Sequence, residues 1–418
     1  MGEPATQVMQ HRRLTQAEVD GICARHDRLW SSRMGGARAT FTWKDISGLD
    51  LSGRNLCDAD FTGAILADCN FAGARLDNAN LFGADAQNTC FRDASLRRAD
   101  LRGSCLRGAD LSGADLFEAD LREGTIAAAD REKGLRILEP VERSANAQGA
   151  VLAGANLERS RLSGVIALKA DFTDAVMKDC KLVRANLKQA KMSGVDLSGA
   201  DLSGADLSGA DLQDAVLVGA KTYSWNVQNT NMEGVLTDKP AGADVAEIPV
   251  DEMLRAHALW CESGGRGGKP STFDNTDLRS LKSIRGLNLT ALSARGAVFY
   301  GLDMSGIQLQ GARLEGADLR TCNLRRADLR GARLIGAKLS GADLRDAQLG
   351  PLLIAPTRPL PADLTGAQLK RADLARADVR QAILVGANLS RANFTGAILK
   401  GVNVTDAVRD GVRGLDVI

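Results

Sequence analysis

Leucine recurs at every fifth residue across residues 193–212. Leu197, Leu202, Leu207 and Leu212 each follow an aspartate and stand two places after Ala or Val. A five-residue period fits neither regular structure. On an α-helix five steps turn about 500°, so the leucines spiral over every face and leave no apolar stripe. On a straight strand an odd period throws successive leucines to opposite faces. They share one interior only if the backbone turns a corner about once per repeat. The chain is therefore predicted to coil, although a composition rich in Ala, Leu and Asp favours helix.

The repeat Ala200-Asp201-Leu202-Ser203-Gly204, with many copies of the form Ala-(Asp/Asn)-Leu-x-x, resembles the bacterial pentapeptide-repeat proteins. The resemblance implies an all-β solenoid, a right-handed quadrilateral β-helix with four pentapeptides to each coil. It implies that the central Leu or Phe and the small residue two before it point inward, and that the other three face solvent. Residues one coil apart should then stack in columns, Leu157, Met177, Leu197 and Leu217 among them.

A solenoid can run to 418 residues because each repeat contacts only its neighbours. A net charge of +1 gives no global pull toward nucleic acid or membrane. No apolar run approaches the length of a membrane span, and the first residues carry no hydrophobic signal core, so a cytoplasmic protein is expected. Of eight cysteines, Cys69, Cys180 and Cys322 take the inward small position, where cysteine acts as a small hydrophobe. No Cys-x-x-Cys pair exists, so neither a metal site nor a cofactor is expected.

Residues 1–43 are read as an N-terminal helical cap. Leu14, Thr15 and Glu18 form a capping-box signature, Val19, Ile22, His26, Leu29 and Trp30 follow at helical spacing, and Gly35-Gly36 should end the helix. An open β-helix end exposes apolar side chains and unpaired backbone, and this helix is the natural lid. The first β-helix is placed at 44–237, with repeat centres from Ile46 to Ile126 and from Leu152 to Met232. Residues 127–149 interrupt it as a loop, and Trp225 at an inward small position calls for a widened or terminal coil. Residues 238–283 are a linker and second cap, with a helix from about Asp251 to Cys261 that repeats the first: His257 and Trp260 answer His26 and Trp30. Residues 284–418 form the second β-helix, with a loop at 350–361; Ile284 is matched to Ile46.

Histidine, the usual acid–base group, occurs only three times, as His11, His26 and His257, and no catalytic residues are assigned. Residues 263–271 lack the spacing of a phosphate-binding loop and read as a linker. In the first β-helix Asp201 lies between Lys181 and Lys221 and Lys191 between Asp171 and Asp211, ladders that neutralise themselves. The second is basic: residues 284–349 hold ten Lys+Arg against six Asp+Glu, whereas residues 44–126 hold nine against fourteen. Arg313 is expected to stack on Arg333 and Arg325 on Arg345, with Arg320, Arg326 and Arg330 close by. These arginines are the candidate interface, and His26, Trp30, His257 and Trp260 a candidate docking surface on the caps.

The function expected is a non-enzymatic scaffold that binds protein partners, with self-association between the acidic flank (Asp60, Asp100, Asp120) and the basic one. The alternative that the resemblance implies is DNA mimicry by a topoisomerase (gyrase)-binding protein. Family members of that kind are acidic single solenoids with a C-terminal dimerising helix, whereas this chain is neutral and doubled. Direct nucleic-acid binding is disfavoured because few aromatic residues accompany the arginines.

Overall fold

The computed structural model describes residues 11–126, 129–130, 134–135, 141–239, 243–244, 249–281, 283–355 and 358–415, with backbone alone at 125–126, 129–130, 134–135, 141–143, 243–244 and 251. The chain divides into two compact units, Met1–Lys239 and Pro240–Ile418.

Each pentapeptide turns a corner for a local reason. In Leu197-Ser198-Gly199-Ala200 the Ala200 amide donates to the Leu197 carbonyl at 3.0 Å, and Gly199 sits at φ +67°. That is the third position of a tight turn that requires positive φ, which glycine adopts without steric cost. Short polar residues replace it elsewhere, as at Asp179 and Asn229. The turns fold the chain into a coil whose residues bridge in parallel to those twenty places on. Asp196 pairs with Val216, Asp201 with Lys221, Asp206 with Asn226 and Asp211 with Asn231, four columns to each coil. The fold is a β-helix.

The inward columns are almost wholly apolar; Thr89, Ser104 and Ser160 are buried at the small inward place with their hydroxyls donating to backbone carbonyls. Leu157, Met177 and Leu197 are 0 % exposed, and Ala fills the smaller inward place. Phe41 stacks on Phe61 with ring centroids 4.9 Å apart, and Phe71 on Phe91 at 5.2 Å, so the rings record the rise of one coil. Each buried Leu contributes about 1.5–3 kcal/mol against the ordering entropy of its repeat. Cys69, Cys180 and Cys322 sit in this interior; the Cys69 thiol donates to the Ile46 carbonyl, and burial pushes its pKa up to about 11.

Two excursions leave the coils. Gly124–Ile126 pairs antiparallel with Val141–Arg143, so the backbone departs after Leu121 and the ladder resumes at Asn146, which bridges Cys105. Ile126 is therefore not a repeat centre and Ala147 is one, a shift of one repeat from the sequence expectation. Much of the loop expected at 127–149 lies outside the described residues. In the second unit Leu352–Ala355 and Arg358–Leu360 form an antiparallel hairpin where the 350–361 loop was expected. Arg333 then bridges Asp363.

Both units begin alike. Helix α1, Gln16–Trp30, has the capping box formed by Thr15 and Glu18 and ends at Ser31, before the glycine pair. Val19, Cys23 and His26 are buried beneath it. Helix α2, Val250–Glu262, buries Val250, Leu254 and His257. A two-residue strand precedes each helix and pairs in parallel with the first coil: Arg12–Arg13 with Lys44–Asp45, and Ala243–Asp244 with Thr276–Asp277. Asp45 and Asp277 thus take equivalent places, which sets Leu278, not Ile284, opposite Ile46. The extra residue between Leu278 and Ile284 is taken up by a 3-10 turn at Arg279–Leu281. The ladders themselves start at Thr40 and Thr272, earlier than residues 44 and 284. Trp225 is half-buried in the last coil of the first unit, where Leu236 still bridges Val216.

Candidate functional site

With the interior packed mainly by Leu, Phe and Ala, and its few buried hydroxyls bonded to backbone carbonyls, polar side chains open to solvent lie at the outward positions and the caps. The cap histidines are buried, both 0 % exposed. His257 Nδ1 accepts from the Ser271 amide at 2.9 Å, and its Nε2 lies 3.0 Å from the Thr290 carbonyl. His26 Nδ1 accepts from the Ala39 amide at 3.1 Å. Burial pushes both imidazoles below the usual value. These histidines tie the helix to the first coil and are closed to a ligand. Trp30 and Leu29, at 48 % and 47 %, leave an apolar edge on α1, and Leu259, beside the half-buried Trp260, does so on α2.

The arginines of the second unit divide into two groups. In the first, a guanidinium folds back on the aspartate two residues before it, in each Asp-(Leu/Val)-Arg tripeptide. Arg320 reaches Asp318 and Arg330 reaches Asp328 at 2.6 Å, and Arg345 reaches Asp343 at 2.5 Å. The same clip forms at Arg279–Asp277 and Arg380–Asp378, and in the first unit at Arg102–Asp100 and Arg122–Asp120. Its geometry follows from the corner: the aspartate Oδ1 also accepts the arginine's own amide, at 3.1 Å from Arg380 to Asp378. Hydrogen bonds from the Arg380 side chain hold the Asp378 carboxyl below its usual range.

The candidate interface is therefore unequal in reach. Arg320 is 7 % exposed and presents no guanidinium to a partner. Arg313 does bridge Arg333, as the columns require, and both are exposed. Glu315 stands between coils as a counter-ion, 3.1 Å from Arg333 Nε and 3.8 Å from Arg295 Nε. Among the described residues Arg313, Arg325 and Arg326 make no ion pair within 4 Å, and they form the second group. On the acidic side Asp100 and Asp120 are clipped by Arg102 and Arg122, which lowers the negative charge of that column. The clips went unread in the sequence although the tripeptide was visible, because only the corner brings positions i and i+2 into bidentate reach.

Among the described residues no group of His, Cys, Asp and Glu could hold a metal ion, and no helix is long and apolar enough to cross a membrane. A four-column parallel ladder around an apolar interior, repeated every five residues, defines a β-helical repeat protein. The sequence model of the family described as pentapeptide repeats matches residues 45–125, 143–219, 284–346 and 362–401 in successive copies. These cover more than half of the chain, and it belongs to the pentapeptide-repeat family.

Among solved structures the chain is similar to HetL, a pentapeptide repeat protein involved in heterocyst differentiation regulation from the cyanobacterium Nostoc. The identity is 23 %, over 91 % of this chain and 92 % of that one, with a TM-score of 0.16. QnrB1, a plasmid-mediated fluoroquinolone resistance protein, matches at 21 % over 47 % of this chain and 94 % of its own, with a TM-score of 0.26. Rfr23 from the cyanobacterium Cyanothece 51142 matches at 26 % over 34 % and 88 %, with a TM-score of 0.17. Superpositions this loose carry no argument, and the assignment rests on the repeat itself. No curated protein matches the sequence.

Proposed function

We propose that the chain is a non-enzymatic scaffold, cytoplasmic, whose two right-handed quadrilateral β-helices present flat faces to protein partners, the second unit through its basic face. The observation that carries this reading is the contrast between clipped and unclipped arginines. The fold can neutralise an arginine by placing aspartate two residues before it, and does so at Arg330 and Arg345. Arg313, Arg325 and Arg326 lack that partner and remain available to carboxylates from outside. Exposed charges of one sign steer association and raise encounter rates, and they are screened beyond about 8 Å at physiological ionic strength.

The domains proposed are the two units, each opened by its own helical cap, with residues near 239 as the join. The DNA-mimic alternative needs a run of uncompensated carboxylates, and the clips on Asp100 and Asp120 weigh against it. The scaffold reading is tested by affinity capture from native lysate, with bound proteins compared between the wild type and the Arg313→Glu/Arg325→Glu/Arg326→Glu variant. Loss of the same proteins in the variant and in high salt supports it. Retention in both moves the interface away from the basic face.

A further inference from the structure

Two of the unclipped arginines, Arg325 and Arg326, border a notch. Ser283, Asp303, Asn323 and Asp343 bridge one another in turn, so residues 285, 305 and 325 occupy the same corner position on three successive coils. The first and third carry Arg285 and Arg325, and Arg326 follows the third; the middle coil carries only Ser305 and Gly306. The missing side-chain bulk leaves a concavity of about 380 Å³ with arginine on both walls. Its floor is open: a Cβ placed on Gly306 meets nothing within 4 Å. The two walls stand two coils, about 10 Å, apart.

The charge inside is one-sided. Asp303 is the single carboxylate lining the notch, and its Oδ1 already accepts the Ser305 amide at 3.1 Å and the Asn323 side chain at 2.9 Å. Arg285 Nε approaches its other oxygen at 3.4 Å and the Arg285 side chain stays 68 % exposed. The carboxylates beyond the far wall also act on Arg325 and Arg326, but each is held more closely by another arginine: Asp343 by Arg345 at 2.5 Å, Asp346 by Arg376 at 2.7 Å. Three guanidiniums thus face one committed carboxylate.

We propose that this notch seats paired carboxylates from an extended acidic segment of a partner protein, a site that rests on the scaffold reading above and gives it a place. Charge complementarity sets the sign of the occupant, and the wall spacing sets its form. In an extended polyproline-like segment, residues three apart lie on one side about 9 Å apart, which matches one carboxylate to each arginine wall. Guanidinium forks bind carboxylates in bidentate fashion, so the fit is directional as well as coulombic.

The test separates the notch from diffuse attraction. Ser305→Arg recreates the clip spacing, an arginine two residues after Asp303, and fills the notch while adding a positive charge to the face. The full-length chain is titrated by fluorescence anisotropy with a fluorescein-labelled Pro-Glu-Pro-Pro-Glu-Pro peptide and its Gln counterpart. The expected result is binding of the Glu peptide that weakens at least tenfold in Ser305→Arg and in Arg325→Ala/Arg326→Ala, and is unchanged in Arg313→Ala. Equal or tighter binding in Ser305→Arg overturns the proposal, as does failure of the wild type to prefer the Glu peptide. Calorimetric binding of inorganic phosphate at the notch in preference to the peptide also overturns it, in favour of a small free anion. Protein capture that is the same for the wild type and Ser305→Arg sinks the notch and leaves the scaffold standing. Peptide binding sensitive to Ser305→Arg, with no protein captured by the wild type, does the reverse.

Discussion

The Nδ1 atom of His257 accepts a hydrogen bond from the Ser271 amide at 2.9 Å, and His26 does the same for Ala39 at 3.1 Å in the first unit. Each contact joins the cap helix to the segment that leads into the first coil. An imidazole that accepts at Nδ1 must carry its single proton on Nε2, and in His257 that proton points to the Thr290 carbonyl at 3.0 Å. Both nitrogens are thus committed in the neutral form. The cationic form would set an N–H against the Ser271 N–H.

The second cap should therefore loosen in mild acid. Burial lowers the folded-state pKa of His257 below the usual 6.5. The unfolded state then takes up the proton first as pH falls, so stability from this joint is complete above about pH 6.5 and declines as pH drops through the lowered value. Amide exchange at Ser271 is expected to accelerate between pH 7 and 5 beyond the intrinsic chemical rate. In His257→Gln the protection should be weaker at neutral pH and flat across that window. A protection factor at Ser271 that does not change with pH in the wild type would contradict the assignment.

Leu197 and Ser198 adjoin in sequence but face opposite environments. Leu197 is 0 % exposed, whereas Ser198 is outward and donates its hydroxyl to Asp196. Leu197→Asp buries an ionised carboxylate among stacked apolar residues and should cost more than about 4 kcal/mol. Ser198→Asp loses one hydrogen bond and places a carboxylate beside Asp196, for about 1 kcal/mol. Urea denaturation of the two variants checks the ordering; equal midpoints would refute the inward and outward assignment.

What was legible in the sequence is whatever the five-residue period governs. The inward columns of Leu, Phe and Ala, and the lysine–aspartate ladder through Lys181, Asp201 and Lys221, follow from counting, because each coil repeats its predecessor. The count failed where the chain leaves the coil. Ile126 looks like a repeat centre, but its backbone pairs with Val141, so the tract restarts at Ala147. Leu278 was missed because one extra residue before Ile284 breaks the spacing, and the 3-10 turn absorbs it. The strands at Arg12–Arg13 and Ala243–Asp244 are too short to carry a pattern.

The candidate interface was half legible for a related reason. Columns place Arg313 over Arg333 from arithmetic alone, but a counter-ion such as Glu315 reaches across coils through its side-chain conformation. Arg320 counted as a surface position, yet the structure buries it at 7 %.

Each unit should fold without the other. Each has its own capping helix, its own ladder and its own apolar core, running from Leu14 to Leu217 in one and from Val250 to Val402 in the other. Residues 1–239 and 240–418, expressed separately, are expected to melt cooperatively by circular dichroism, since repeat proteins draw stability from neighbouring coils. If neither segment shows a cooperative transition while the whole chain does, the two are one folding unit.

Burial should decide what an Asp-x-Arg clip is worth. The Arg320–Asp318 and Arg380–Asp378 pairs share sequence spacing and an N–O distance of 2.6 Å. Their side chains differ in exposure: 9 % and 10 % in the first pair, 52 % and 20 % in the second. Removing the guanidinium at the buried clip leaves the Asp318 carboxylate without its bidentate partner and with little access to water. The Arg320 amide still donates to it at 3.2 Å, so the loss is partial. Arg320→Ala is accordingly expected to destabilise the second unit by about 3 kcal/mol. At the exposed clip water replaces the lost guanidinium, and Arg380→Ala should cost under about 1 kcal/mol. The double variant Asp318→Asn/Arg320→Ala removes the stranded charge and should recover part of the first loss. Denaturant midpoints for the three variants, measured on residues 240–418 if that segment folds alone and otherwise on the full chain, provide the check. Equal costs at the two clips would show that clip geometry rather than burial sets their strength.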